Sequence, residues 1–226
     1  MKKYAVIVAG GSGQRMGAAV PKQFLQLKGR PVLWHAIRAF LDAYDDIAII
    51  LVLPKENLPE GEAIVQSLNN GKNIQCVSGG ITRFHSVQNG LAQVKEPSVV
   101  FVHDAVRCLV TPVLIRVCYE TAKIKGSAIP VVPATDSIRI IEEDSSRVAD
   151  RARVRIVQTP QTFLSDILLP AFQTNYQDAF TDEATVVEAA GHSVQLVEGD
   201  YSNIKITRPV DLVVADMILQ ERSSGL

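Results

Sequence analysis

Cysteine is scarce in this chain of 226 residues, and the little there is has no pattern. Cys76, Cys108 and Cys118 form no C-x-x-C pair and leave an odd count, which argues against a disulfide framework or a zinc site. A reducing cytoplasm is the expected compartment. Long apolar runs are missing as well: no segment approaches the roughly 20 residues that a membrane span needs. The first apolar run, Tyr4 to Ala9, stops at Gly10-Gly11, too short for a signal peptide and suited to a buried strand. An excess of one charge is also missing. With 23 Lys and Arg against 24 Asp and Glu, the formal net charge is -1, so no overall field draws nucleic acid or an anionic membrane. A site for a polyanion has to be built locally.

What remains is an ordinary globular composition, 47% hydrophobic and 21% charged. A domain usually takes about 100–200 residues, so one domain over 1–226 is expected. Near-continuous apolar runs at Tyr4–Ala9, Ile47–Leu53, Ser98–Val102 and Ala128–Val132 have the character of strands covered on both faces. Between them, Val32–Ala43, Glu60–Leu68, Thr82–Val94 and Pro112–Lys125 have the spacing of amphipathic helices, the last with Thr111 as N-cap and Pro112 at its first position. Alternation of this kind predicts an α/β fold: a doubly wound, mostly parallel twisted sheet with helices on both faces. Only Ser223–Leu226 reads as a frayed tail.

One stretch breaks the alternation. Ser137–Glu142 and Val148–Val157 are strand-like and flank the polar turn Glu143-Asp144-Ser145-Ser146, which predicts a protruding hairpin over about 137–157. Arg151, Arg153 and Arg155 recur at period two and would share one face of its second strand. Those arginines suit either a charged edge that discourages aggregation or a binding face.

The strongest local signal follows the first strand: Gly10-Gly11-Ser12-Gly13-Gln14-Arg15-Met16-Gly17, then Pro21-Lys22-Gln23. Glycines let backbone amides approach an anion, and Arg15 and Lys22 add two cations able to hold a triphosphate. Met16 stands where a dinucleotide fingerprint needs its third glycine, which disfavours a Rossmann oxidoreductase, and the Gly-Lys-Ser/Thr of a P-loop is absent. Val102-His103-Asp104-Ala105-Val106-Arg107 ends a buried strand at the edge where open α/β sheets bind ligands. Asp104 there suits Mg²⁺ carried on nucleotide phosphates, and an Asp104–Arg107 pair is the structural alternative. Gly79-Gly80-Ile81-Thr82-Arg83 offers free amides that, with Ser86, could read a base edge. A plain strand-to-helix turn capped by Thr82 is the competing reading. Thr159-Pro160-Gln161 precedes Thr181-Asp182-Glu183, where Thr181 suits a helix cap. Lys205 lies in the apolar run Ile204–Ile206, read as a strand, and a bound phosphate would satisfy its charge.

Taken together, VAGGSGQRMG–PKQ, SGGITR, VHDAVR, ADR, TPQ, TDEA and NIKITRPVDL resemble the 2-C-methyl-D-erythritol 4-phosphate cytidylyltransferase family over nearly the whole chain. The resemblance implies a Rossmann-like nucleotidyltransferase fold, a homodimer interlocked through the β-arm, and dependence on Mg²⁺ or another divalent cation. It implies transfer of CMP from CTP to 2-C-methyl-D-erythritol 4-phosphate in non-mevalonate isoprenoid synthesis. On its pattern Arg15, Lys22 and Asp104 are catalytic, Asp104 as the metal carboxylate. Arg151 and Lys205 match the pair holding the substrate phosphate, with Asp136 and Thr181 beside the polyol. Gly10, Gly11 and Gly13 fall on the nucleotide loop, and Gly80, Ile81 and Ser86 on the cytosine-reading segment. Ile81 replaces a residue that is often polar, and Cys108 one that is usually proline. Two alternatives stand beside this reading. A ribitol-5-phosphate cytidylyltransferase shares the glycine loop, aspartate and TPQ, though Asp150-Arg151 and Thr181–Ala184 favour the methylerythritol enzyme. A non-catalytic nucleotide-binding regulator is opposed by retention of Arg15, Lys22 and Asp104.

Overall fold

The computed structural model describes residues 1–10, 20–68 and 73–224. The chain opens with β1 (Lys2–Val8), then a small β2 (Gln26–Leu27) and β3 (Arg30–Pro31) ribbon before α1 (Val32–Ala43). It continues through β4 (Ala48–Leu53), α2 (Leu58–Gln66), β5 (Ile74–Ser78), α3 (Arg83–Leu91), β6 (Ser98–Asp104), α4 (Pro112–Lys125) and β7 (Ser127–Pro133). Next come the β8 (Ile138–Ile141) and β9 (Ser146–Ala149) hairpin, β10 (Arg155–Val157) and β11 (Gln161–Leu164). The remainder is α5 (Ser165–Ala171), α6 (Glu183–Ala189), β12 (Leu196–Glu198) and α7 (Pro209–Ser224).

Strands order as β10-β7-β11-β6-β1-β4-β5, with β12 also on β7. The β6-β1-β4-β5 part is parallel, whereas β11 runs antiparallel to both β6 and β7. This is the α/β sheet that the alternating pattern predicts. The apolar runs are continuous because both faces are covered. Ala5, Ile7, Leu51 and Phe101 point into the layer packed by α1 and α4, while Tyr4, Val6, Val52 and Val102 point into the layer of α3, α5 and α6. Burial of such side chains contributes about 1.5–3 kcal/mol each against exposure. Helix α3 lies so close to the sheet that a Cβ on Gly90 would come within 2.5 Å of a Val6 methyl carbon. A third cluster, around Leu27, Val32, Leu109 and Ile206, seats α7 through Ala215. No helix among the described residues is long and apolar enough to cross a membrane.

Sheet order reverses beside β1: β4 lies on one side and β6 on the other. Their carboxyl ends therefore diverge, opening the crevice where such sheets bind ligands.

Four expectations need correction. The arm's second strand is not continuous from Val148 to Val157: β9 ends at Ala149, a 3₁₀ turn covers Arg151–Arg153, and β10 returns to pair with β7. Asp150 starts that turn by accepting from the Ala152 N–H at 3.1 Å. Arg151, Arg153 and Arg155 therefore do not share a strand face. Residues 204–206 form a loop rather than a strand, with the Ile206 N–H donating to the Val106 carbonyl at 2.9 Å just beyond β6. The cap of α6 is Asp182, not Thr181, in a reciprocal box with Thr185. Finally, Ser223 and Ser224 belong to α7 rather than to a frayed tail.

Candidate active site

The crevice holds a cavity of about 290 Å³. Gly10 enters it from the end of β1, and Lys22 and Gln23 from the 3₁₀ turn that follows. Gly80, Ile81, Arg83 and Ser86 come from the β5–α3 junction, Asp104 from the end of β6, and Lys205 from the loop before α7. A second space of about 570 Å³ adjoins it, sharing Gly10, Gln23, Gly80, Ile81 and Ser86 and extending along Pro54–Asn57. Seven of the residues singled out in the sequence (Gly10, Lys22, Gly80, Ile81, Ser86, Asp104, Lys205) thus border one cavity. Gly11, Gly13 and Arg15 lie outside the described residues.

Asp104 is the electrostatic centre. It is 8% exposed, and its Oδ1 accepts from Arg83 Nε at 3.1 Å while Oδ2 meets Lys205 Nζ at 2.8 Å. Burial alone would raise its pKa, but Arg83 and Lys205 overcome that and hold the carboxyl well below the usual range. It is therefore an anion at any physiological pH. Its backbone is fixed too, the Asp104 N–H donating to Thr159 Oγ1 at 3.1 Å. Arg107 is not its partner. That guanidinium donates to the carbonyls of Asn203 at 2.8 Å and Val157 at 3.2 Å, tying the loop before α7 and the end of β10 to the end of β6.

Lys205 differs from expectation in its surroundings. Its side chain is half-exposed at the cavity wall, and its ammonium meets Asp104 Oδ2 at 2.8 Å. His103 is fully buried between Thr159 Oγ1 and the Arg107 carbonyl, with Phe40 edge-on at 5.2 Å. Burial pushes its pKa down to about 4, so it stays neutral and serves packing.

The β5–α3 turn is the capped strand-to-helix turn that was one of the two readings offered for it. Thr82 caps α3 by accepting from the His85 N–H at 3.3 Å. Ser86 Oγ accepts from the Gly80 N–H at 3.1 Å and donates to the Thr82 carbonyl at 2.9 Å, so its hydroxyl holds the turn. A Cβ on Gly80 would sit 2.4 Å from the His85 Cβ, which is why glycine stands there. Ile81 is 92% exposed.

Three residues escaped the sequence reading. Gln23, 1% exposed, donates from Nε2 to the Ala9 carbonyl at 2.8 Å and pins the exit of β1. Arg83 donates to Asp104 with one edge and to Glu183 with the other. Glu183 is itself buried at 1% exposure. Arg83 and Glu183 stand in the quoted runs SGGITR and TDEA, but nothing local signals that residues 100 apart are joined.

Asp136, Arg151 and Thr181 do not border the cavity. Asp136 and Arg151 are exposed on the arm, where Arg151 Nη1 donates to the Thr135 carbonyl at 2.8 Å, and Thr181 is exposed just ahead of α6. Among the described residues no group of three or more His, Cys, Asp or Glu could cage a metal. A lone, permanently ionised Asp104 suits Mg²⁺, which keeps waters and takes one or two carboxylates plus phosphate oxygens. Lys22, Arg83 and Lys205 line the cavity against the single carboxylate of Asp104, so the lining is net positive even with Arg83 also paired to Glu183, and it fits a polyphosphate.

A family model described as 2-C-methyl-D-erythritol 4-phosphate cytidylyltransferase matches residues 4–221. A relative of that name from Phocaeicola vulgatus is 43% identical over 219 residues, covering 97% of this chain and 100% of the relative. Another, from Bacillus cytotoxicus, is 39% identical over 217 residues, covering 95% and 96%. A crystal structure described as 4-diphosphocytidyl-2C-methyl-D-erythritol synthase from Anaerococcus prevotii superposes with a TM-score of 0.83 at 28% identity, covering 97% of this chain and 98% of that one. The cytidylyltransferase of Thermus thermophilus gives 0.73 at 31% identity, covering 95% and 98%.

Proposed function

The chain belongs to the 2-C-methyl-D-erythritol 4-phosphate cytidylyltransferase family, and on that footing we propose a division of labour among its residues. It is a nucleotidyltransferase that moves CMP from CTP to 2-C-methyl-D-erythritol 4-phosphate, giving 4-diphosphocytidyl-2-C-methyl-D-erythritol and pyrophosphate. The reaction belongs to non-mevalonate isoprenoid synthesis, and its use of CTP suits the cytoplasm.

The attacking group is a phosphate oxygen of the acceptor. A phosphate monoester has a second pKa near 6 and is largely dianionic at neutral pH. The nucleophile thus needs no general base, in keeping with neutral, buried His103. The barrier comes from bringing two anions together and from charge growing on the leaving pyrophosphate. Arg15 and Lys22 offset both at the α-phosphate, and the amides of the Gly10, Gly11 and Gly13 loop hold the triphosphate. Asp104 would hold Mg²⁺ or another divalent cation, which would supply further charge neutralisation on the phosphates. In-line alignment contributes much of the rest. The Gly80–Ile81 turn, held in shape by Ser86, reads the cytosine edge.

Lys205 and Arg151 hold the acceptor phosphate, with Asp136 and Thr181 beside the polyol. Arg151 reaches a neighbouring site because the arm over about 137–157 packs against a second copy of the chain, the rest of 1–226 forming one catalytic domain. Ile141 and Val148, 78% and 68% exposed on the β8–β9 hairpin, support that reading, since they leave apolar surface to cover. The observation carrying the proposal is the convergence of Lys22, Arg83, Asp104 and Lys205 on one cavity at the sheet's switch point. Pyrophosphate release from CTP tests it. Release with methylerythritol phosphate and background rates with ribitol 5-phosphate are expected; equal rates would move the acceptor assignment to a broader pentitol class.

A further inference from the structure

Behind Asp104 runs a chain of contacts that ends on a residue with no access to the cavity. Arg83 lies between two carboxylates. Its Nε donates to Asp104 Oδ1 at 3.1 Å, its Nη2 lies 3.1 Å from that same oxygen, and its Nη1 and Nη2 donate to the two oxygens of Glu183. Glu183 is buried to 1% exposure in the first turn of α6. That turn is docked on β11: Gln161 donates to Asp182 Oδ2 at 2.9 Å and accepts from the Ala184 N–H at 2.8 Å. The strand that carries Gln161 also follows Thr159, whose hydroxyl holds the Asp104 backbone. Two routes therefore fix Asp104, one through its main chain and one through its side chain, and both start at residues 159–161.

We propose that Glu183 is a positioning residue for the transfer reaction, holding Arg83 so that Asp104 presents an available carboxylate to the nucleotide. The chemistry is that of a guanidinium with two claimants. With Glu183 in place, two of the five N–H donors of Arg83 and much of its charge are taken from behind, and Arg83 meets Asp104 through one oxygen only. Without Glu183, Arg83 has one buried anion left, and the two-pronged geometry natural to arginine and carboxylate would cover both Asp104 oxygens. Asp104 would then be claimed more fully by its own chain. Lys205 is already on its other oxygen at 2.8 Å, so a further claim on the carboxylate leaves least room for the phosphate-bearing substrate.

The inference rests on Asp104 being the nucleotide-facing carboxylate, and four variants separate the two claims. Glu183→Gln keeps the shape and loses the charge. It should lower kcat by about 10- to 100-fold, the usual cost of losing a supporting partner, with KM for the acceptor nearly unchanged. Because Glu183 acts through Arg83, Arg83→Met and the double variant Arg83→Met/Glu183→Met should turn over at the same rate. An apolar pair commonly replaces a buried ion pair without loss of stability, so the double variant folds even if Glu183→Gln does not; Arg83→Met alone leaves Glu183 buried without its partner, and its rate is taken per folded molecule after a thermal melt. Parental kcat in Glu183→Gln, or a further loss in the double variant beyond Arg83→Met, overturns the positioning role. Asp104→Asn, assayed beside them, tests the site itself. Parental turnover there removes Asp104 from the mechanism, whereas an inactive Asp104→Asn with a failed cycle removes Glu183 alone.

Discussion

Asp104 at the sheet edge and Arg151 on the arm carry charge in opposite surroundings. Asp104 is 8% exposed, with both oxygens and its backbone N–H engaged by residues from three other parts of the chain. Arg151 is exposed and donates to one carbonyl, that of Thr135, on its own arm. The fold of a single chain therefore determines where Asp104 points. An exposed arginine on a two-stranded arm keeps its rotamer freedom, and something beyond the chain has to fix it. On the proposed assignments, binding of the nucleotide and binding of the acceptor phosphate would draw on two kinds of order, one built in and one conferred on assembly.

The largest effect should come from the built-in side. If the Gly80–Ile81 backbone reads cytosine, UTP leaves buried polar groups unpaired, and discrimination by about 10⁴ is expected in the best cases. Pyrophosphate release with UTP at a rate comparable to CTP would detach base selection from this turn. Lys22→Ala comes next. Removing one preorganised charge typically lowers turnover about 10²–10³-fold, and a thermal melt should show the fold retained. A matching collapse of melting temperature would recast Lys22 as structural.

On the arm the change should be confined to the acceptor. Arg151→Ala loses a charge-assisted contact, about 1.5–3 kcal/mol, which raises KM for methylerythritol phosphate roughly 10- to 100-fold and spares CTP. Mixing Lys22→Ala with Arg151→Ala subunits sharpens the contrast. Mixed dimers regain one intact site, and activity, only if Arg151 serves its neighbour. No recovery after demonstrated subunit exchange would return Arg151 to its own chain.

The smallest effect concerns the anchor of the Lys205 loop. Asp211 accepts from the N–H groups of Thr207 and Arg208, each at 2.7 Å. Burial pushes its pKa up, but these bonds prevail and hold it below the usual value. Such a group contributes stability above its unfolded pKa of about 3.9 and loses it as pH falls through the lower folded value. Asp211→Ala should cost about 1 kcal/mol at pH 7, with the deficit shrinking below about pH 4 in denaturant melts.

What could be read from the chain and what could not follow the same division. The expected bounds of Val32–Ala43 and Pro112–Lys125 coincide with α1 and α4, because their apolar faces and the Thr111 cap are local signals. Gly10, Lys22, Gly80, Ile81, Ser86, Asp104 and Lys205 converge as the ends of predicted strands should. Lys205 itself was misplaced on a strand because Ile204 and Ile206 are apolar for another reason, burial beneath α7. Within the arm, alternation of arginines imitates a strand that the Asp150 cap breaks. The Arg83–Glu183 union had no local trace, since both types are ordinary on surfaces and only the tertiary fold turns them inward.

The reversed strand β11 has a consequence for how much chain can gather at one place. Each parallel strand delivers to the crevice only the residues that follow it. Because β11 opposes β6 in register, Gln161 across from Val102 and Leu164 from Val99, it delivers the residues that precede it. Thr159 thereby arrives level with Asp104, and the next turn of chain leaves at the far edge, about 10 Å away at 3.4 Å per residue. A parallel strand in that slot would send Thr159 and Gln161 to the far edge and leave Asp104 without its backbone partner. Insertions between β11 and α5 therefore fall on the side remote from chemistry. Insertions between β10 and β11 fall directly upon it, so the tolerance of these two adjoining connections to added residues should differ sharply.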